Sequence, residues 1–136
     1  MARKKVTHYN PDTVATLPLF SRAVAVEGGK TIYVGGMTAM DRDWNLVGAG
    51  DLAAQARVVY DNLKLVLDAV GATPADVVRQ RIYIVDIGPQ ARFAVGEAIN
   101  GFFGDGPRPA SSLSGVTGLA REGALIEIDF TCVIDD

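Results

Sequence analysis

The chain has 136 residues, 49% of them hydrophobic, which suffices for one domain spanning residues 1–136 with a buried core. With 13 Lys and Arg against 16 Asp and Glu, its net charge of −3 offers no field that would gather nucleic acid or an anionic membrane, so neither is an expected partner. One cysteine excludes an intrachain disulfide; no apolar run is long enough to predict a membrane-crossing helix, and Met1 to Thr16 has no apolar core like that of a signal peptide, so the expected location is cytoplasmic.

Residues 1–16 are polar and read as a solvated arm or short edge strand carrying Arg3, Lys4, Lys5 and His8. One histidine makes no metal site, and no metal is expected. FSRAVAVEGGKTIYVGG then sets two apolar runs around Gly28 and Gly29, which predicts a β-hairpin because paired glycines supply the positive φ of a tight turn. The loop from Met37 to Gly50 holds Asp41 and Asp43 at alternate positions. Without the glycine and terminal glutamate of a calcium loop, these are turn residues.

From Asp51 to Val70, the apolar residues Leu52, Ala56, Val59, Leu63, Val66, Leu67 and Val70 recur in steps of three and four and predict an amphipathic helix. Asp51 is its N-cap and Gly71 its C-cap, and Gln55, Arg57, Asp61 and Lys64 form a solvated face. Val77 to Asp86 is β-branched and predicts a strand, which after an intervening helix should pair parallel to an earlier strand. Ala91 to Phe103 predicts a second helix, with Phe93, Ala94, Glu97, Ala98 and Phe102 at helical intervals, and GDGPRP ends it.

The stretch from Arg108 to Val133 reads as two more strands. In the second, Leu125, Glu127, Asp129 and Thr131 alternate with Ile126, Ile128, Phe130 and Cys132. The apolar side belongs in the core, with Cys132 as a small buried hydrophobe, so Glu127 and Asp129 face water, a pocket or a partner subunit. Glu127 is the candidate general base. The fold class is α+β, a two-layer arrangement of one mixed β-sheet with two helices packed on one face. The sheet's other face, if apolar, requires further subunits to cover it. The chain has no phosphate loop, dinucleotide fingerprint or serine–histidine pair.

In order and spacing, FSRAV, YVGGM, AAQARVVYDNLKLVLDAVGA, VVRQRIYIVD, RPASS and ALIEIDF resemble the reactive-intermediate deaminase family, the RidA/YjgF proteins, from Phe20 to Val133. The resemblance implies a chorismate-mutase-like homotrimer with clefts between neighbouring subunits. In the family's deaminases each cleft hydrolyses a 2-imino or enamino acid to the 2-oxo acid and ammonia, without a cofactor. The family's water-placing glutamate falls on Glu127. Its carboxylate-binding arginine falls on Ser111, its pocket tyrosine on Phe20 and its pocket serine on Gly35.

Loss of that arginine removes a bidentate carboxylate clamp, which Arg22 or Arg108 would have to replace. Phe20, Arg22, Gly35, Arg108, Ser111, Ser112 and Leu113 are therefore the candidate substrate-binding residues, with Glu127 catalytic. The expected function is hydrolysis of an imine or enamine with an altered substrate range. The alternatives are a non-catalytic small-molecule-binding trimer and, against the charge balance, an endoribonuclease or translation inhibitor.

Overall fold

The computed structural model describes residues 3–136. Among these residues the chain forms six strands and two α-helices in the order β1 (Lys5–Tyr9), β2 (Ala23–Glu27), β3 (Lys30–Met37), α1 (Leu52–Val70), β4 (Val77–Val85), α2 (Pro89–Phe103), β5 (Ala110–Val116) and β6 (Ile126–Ile134). A mixed four-stranded sheet runs β3–β6–β4–β5, and β1 and β2 make a separate two-stranded ribbon. Both helices contribute to a single core against the sheet, giving the expected α+β class.

The last strand organises the sheet. β6 lies between β3 and β4 and is antiparallel to both. Its odd-numbered polar positions and even-numbered apolar positions therefore take opposite faces. Ile126, Ile128, Phe130 and Cys132 are buried beneath the helices, whereas Glu127, Asp129 and Thr131 are half-buried on the open face. Burial raises the Cys132 thiol pKa to about 11, as for an inert core cysteine.

Two strand pairings differ from the sequence-based expectation. Gly28 and Gly29 adopt φ of +71° and +80° at the predicted turn, yet β2 and β3 do not form a hairpin. β2 takes its ladder from β1, and β3 takes its ladder from β6. The turn passes so close to its neighbours that a Cβ on Gly28 would stand 2.6 Å from the Arg3 carbonyl oxygen, and one on Gly29 2.6 Å from that of Ile134. β4 pairs parallel not with an earlier strand but with β5, because β6 inserts between it and β3. Two β–α–β crossovers, through α1 and through α2, leave that central position open for the last strand.

The caps of α1 are as predicted: the Asp51 side chain accepts from the Ala54 N–H at 3.0 Å, and Gly71 takes φ +77°. Its inward stripe includes Ala56, Val59, Leu63 and Leu67, but Gln55, expected in solvent, is also fully buried. The Gln55 Nε2 donates to the carbonyls of Gly48 and Gly123, each at 3.1 Å, and its Oε1 accepts from the Leu125 N–H at 2.8 Å. These bonds compensate for burying an amide. α2 begins at Pro89 and buries Val95, Ile99 and Phe103, an i, i+4, i+8 row, whereas Phe93 is 69% exposed and does not belong to the packing face. Tyr60, Phe102, Phe103 and Phe130 form an aromatic cluster where this helix meets the sheet.

The open face is polar, carrying Tyr33, Arg79, Arg81, Tyr83, Glu127, Asp129 and Thr131, so its composition alone does not demand an apolar covering. No helix among the described residues is long and apolar enough to cross a membrane.

Gln55→Ala leaves a buried N–H and two carbonyls unpaired, and should lower stability by about 3 kcal/mol at one to three kcal/mol per orphaned group after partial relaxation. Urea unfolding followed by circular dichroism checks this. A loss below about 0.5 kcal/mol would show that water replaces the amide.

Candidate functional site

The predicted site residues divide into three groups. Glu127, Gly35 and Ser112 belong to the open face of the sheet. Phe20, Arg22 and Arg108 gather where the N-terminal segment meets the start of β5. Ser111 and Leu113 take the helix-facing side of β5, level with Gln80 and Ile82 of β4.

On the open face, β3 bulges at Gly35 and Gly36. The register passes from Val34 opposite Phe130 to Met37 opposite Ile128, so two glycines stand across from Asp129. The bulge brings bare backbone against the neighbouring carboxylate: a Cβ on Gly36 would lie 2.6 Å from Glu127 Oε2 and 2.9 Å from its Cδ. A Cβ on Gly35 would meet nothing within 4 Å. Glycine at 36 thus makes the space in which the Glu127 side chain lies.

The two carboxylates of β6 have different surroundings. Asp129 faces Arg81 across the β4–β6 ladder, with Arg81 Nε at 3.0 Å from Oδ1 and 3.2 Å from Oδ2. Glu127 faces Tyr83, and none of the ion pairs among the described residues involves it. One carboxylate is thus neutralised and oriented, while the other is left with its lone pairs available for a water or a ligand.

The second group surrounds a groove of about 530 Å³ lined by His8, Asn10, Thr16, Leu17, Pro18, Phe20, Ser21, Pro107 and Arg108. Ser21 closes its floor, donating from Oγ to the Arg108 carbonyl at 2.7 Å and from its backbone N–H to the Pro109 carbonyl at 2.9 Å. The Arg22 guanidinium lies 4.8 Å from the Phe20 ring centroid and donates from Nε to the Ala15 carbonyl at 2.7 Å. Arg108 donates from Nε to the Pro18 carbonyl at 3.2 Å and from Nη2 to Asn100 Oδ1 at 3.0 Å. Its Nη1 is buried without a partner, as is Gln80 Nε2. Both arginines proposed as substitutes therefore hold loop backbone, and Arg108 retains one free N–H edge.

Gln80 bears on the surroundings of Ser111. It is fully buried, accepts from the Tyr60 hydroxyl at 2.9 Å, and stands level with Ser111. Burial raises the Tyr60 phenol pKa far above its ordinary value, so the hydroxyl remains a neutral donor. Ser111 thus borders a buried amide, while its neighbour Ser112 is level with Arg81 on the open face. Arg81, Tyr83 and Gly36 escaped the sequence reading. Arg79 and Arg81 alternate in VVRQRIYIV and so share one face, but their placement beside Asp129 depends on a register that periodicity does not contain. Among the described residues no three His, Cys, Asp or Glu side chains converge as metal ligands.

Comparison with known proteins gives a consistent outcome. Residues 11–134 match the family model described as Endoribonuclease L-PSP. The chain is 38% identical over 133 residues to protein DfrA of Myxococcus xanthus, covering 98% of this chain and 97% of that one. It is 31% identical over 122 residues to a 2-iminobutanoate/2-iminopropanoate deaminase of Dermatophagoides farinae, covering 90% and 92% of the two chains. The crystal structure of YyfB, a Rid-family protein of Yersinia pestis, superposes with a TM-score of 0.90 at 40% identity over 95% of this chain and 98% of that one.

The contrast between the two glycines is directly testable. Gly36→Ala should displace the Glu127 carboxylate, because only the flexible side chain can yield, at a stability cost of about 1 kcal/mol. Gly35→Ala should leave Glu127 in place and stability within about 0.5 kcal/mol. Crystal structures and melting curves of the two variants decide it, and an unmoved Glu127 in the first would refute the packing argument.

Proposed function

Because the chain belongs to the RidA/YjgF family, we propose that it acts on a small reactive metabolite and hydrolyses an imine or enamine, with Glu127 placing the attacking water. The observation that carries this reading is the half-buried Glu127 carboxylate, laid against the backbone of Gly36 and left without a counter-ion while its neighbour Asp129 is paired.

In the reaction, Glu127 accepts a proton from water as the water oxygen bonds to the imine carbon. The proton passes to nitrogen, the carbon–nitrogen bond breaks, and ammonia leaves as the carbonyl forms. A fixed carboxylate contributes here by orientation as much as by basicity. No step draws on a cofactor.

Within one chain the Glu127 face and the Phe20–Arg108 groove are separate half-sites. A cleft between protomers of a homotrimer would bring the first of one subunit to the second of the next, which fits the family's assembly. In such a cleft Phe20 and the Gly35 backbone provide apolar or neutral walls where the family has a tyrosine hydroxyl and a serine, whereas Leu113 packs against the core. Arg108, with two of its nitrogens held by Pro18 and Asn100 and the third buried, offers a ligand no fork. Both features favour a substrate range shifted from that of the 2-iminobutanoate deaminases.

A non-catalytic binding role is the second reading, favoured by the commitment of Arg22 and Arg108 to loop carbonyls. An endoribonuclease role, despite the family description, is disfavoured by the net charge of −3.

Purified protein should accelerate ammonia release from imines generated in solution by an amino-acid oxidase, and Glu127→Gln should reduce kcat by about a hundredfold or more without lowering the melting temperature. Imines that all decay at the buffer rate with the wild type, while a metabolite raises its melting temperature, would favour the binding role. Light scattering should give three times the mass of one chain, and a monomer would remove the intersubunit cleft.

A further inference from the structure

β4 displays Arg79 and Arg81 on the same sheet face as Glu127. Arg81 stands across from Asp129, and Tyr83, the next residue on that face, stands across from Glu127. On the other side Arg81 is level with Ser112 and Tyr83 with Ser114. Arg81 is therefore the diagonal cross-strand neighbour of Glu127, about 7–8 Å away.

The guanidinium is held by one edge. Its Nε donates to both Asp129 oxygens, and neither Nη makes a hydrogen bond among the described residues. The Arg81 side chain is 49% exposed while that of Asp129 is 17% exposed, so the buried partner acts as a mount for the exposed one. The bond from Nε restrains the guanidinium, and the two terminal nitrogens, unpaired on a half-exposed side chain, are the pair of donors that can take a carboxylate through parallel bonds.

We infer that Arg81, mounted on Asp129, is the anion-binding and specificity-determining residue of the Glu127 site, taking over from a different strand the role that Ser111 cannot perform. The ligand it selects is a small molecule bearing a carboxylate, the group that matches the unpaired guanidinium edge. Arg81 and Glu127 are diagonal neighbours across the β4–β6 ladder, about 7–8 Å apart, which leaves room for a carboxylate and the atoms joined to it between them. This assignment rests on the reading of Glu127 as the water-placing group.

Two measurements separate the assignment from that reading. In the first, ¹⁵N-labelled wild-type protein is titrated with 2-oxobutanoate, a stable keto acid, and with the uncharged 2-butanone. The keto acid should shift the Arg81 Nε–H resonance saturably and the ketone should not. Arg81→Ala should weaken keto-acid binding by roughly ten- to a hundredfold, with partial recovery in Arg81→Lys, which keeps the charge but not the fork. In the second, Arg81→Lys and Arg81→Ala should raise KM for a carboxylate-bearing imine that the wild type hydrolyses while changing kcat by less than about threefold, whereas Glu127→Gln lowers kcat.

Keto-acid binding through Arg81 without ammonia release would sustain the assignment and sink the hydrolase reading. Ammonia release with an unchanged KM in Arg81→Lys, or an Arg81 Nε–H that does not respond in the wild type, would overturn the assignment and leave the hydrolase reading standing. The wild-type titration decides the point even if Arg81→Ala fails to fold.

Discussion

The architecture depends on the two-faced hydrogen-bonded position of β6. A strand paired on both sides cannot slide without breaking both ladders, so its period of two becomes a fixed assignment of side chains to faces. Ile126, Ile128, Phe130 and Cys132 close the core under α1 and α2, and Glu127 and Asp129 are thereby carried on the open side. A slip of one residue would bury both carboxylates, one of them without a cation, which is far costlier than any gain from a shifted pairing. The position of the proposed catalytic group is thus enforced by core packing.

Gln55 extends that constraint to the start of the strand. Its amide joins the loop before α1, the loop after β5 and the N–H of Leu125, and the Leu125 carbonyl in turn accepts from Val85 of β4 at 3.0 Å. Glu127 lies two residues beyond this anchor, so stability and site geometry share a buried polar group. Gly36 completes the arrangement from β3 by leaving room for the carboxylate.

Charge is distributed over two places that a single chain does not unite. Arg22 ties down the Ala15 carbonyl within the N-terminal segment, and Arg108 holds that segment to the start of β5 through the Pro18 carbonyl and lies 5.7 Å from the Phe103 ring centroid. The open face carries its own guanidinium in Arg81, tied to Asp129 beside Glu127. Although Ser111 supplies no charge, the Glu127 face is therefore not without a cation. A site can keep a ligand chemistry while changing the strand that supplies it, because what the ligand senses is the position of donors in space.

Local patterns in the chain were sufficient for several features. Alternation in ALIEIDF assigned Glu127 to the face opposite the core, three- and four-residue steps delineated α1 with Asp51 and Gly71 at its ends, and paired glycines marked the turn after β2. Each reflects interactions among residues near one another in sequence. The strand order was decided only by tertiary structure: β6 enters between β3 and β4, so the expected hairpin parts and β4 finds its parallel partner in β5. The same holds for Gln55, which is polar by composition yet buried by contacts to Gly123 and Leu125 some seventy residues away, and for Arg81, whose partner Asp129 is 48 residues distant. Periodicity specifies which side of a strand a residue occupies but contains no term for which strand lies beside it, since that choice is made by the packing of the whole core.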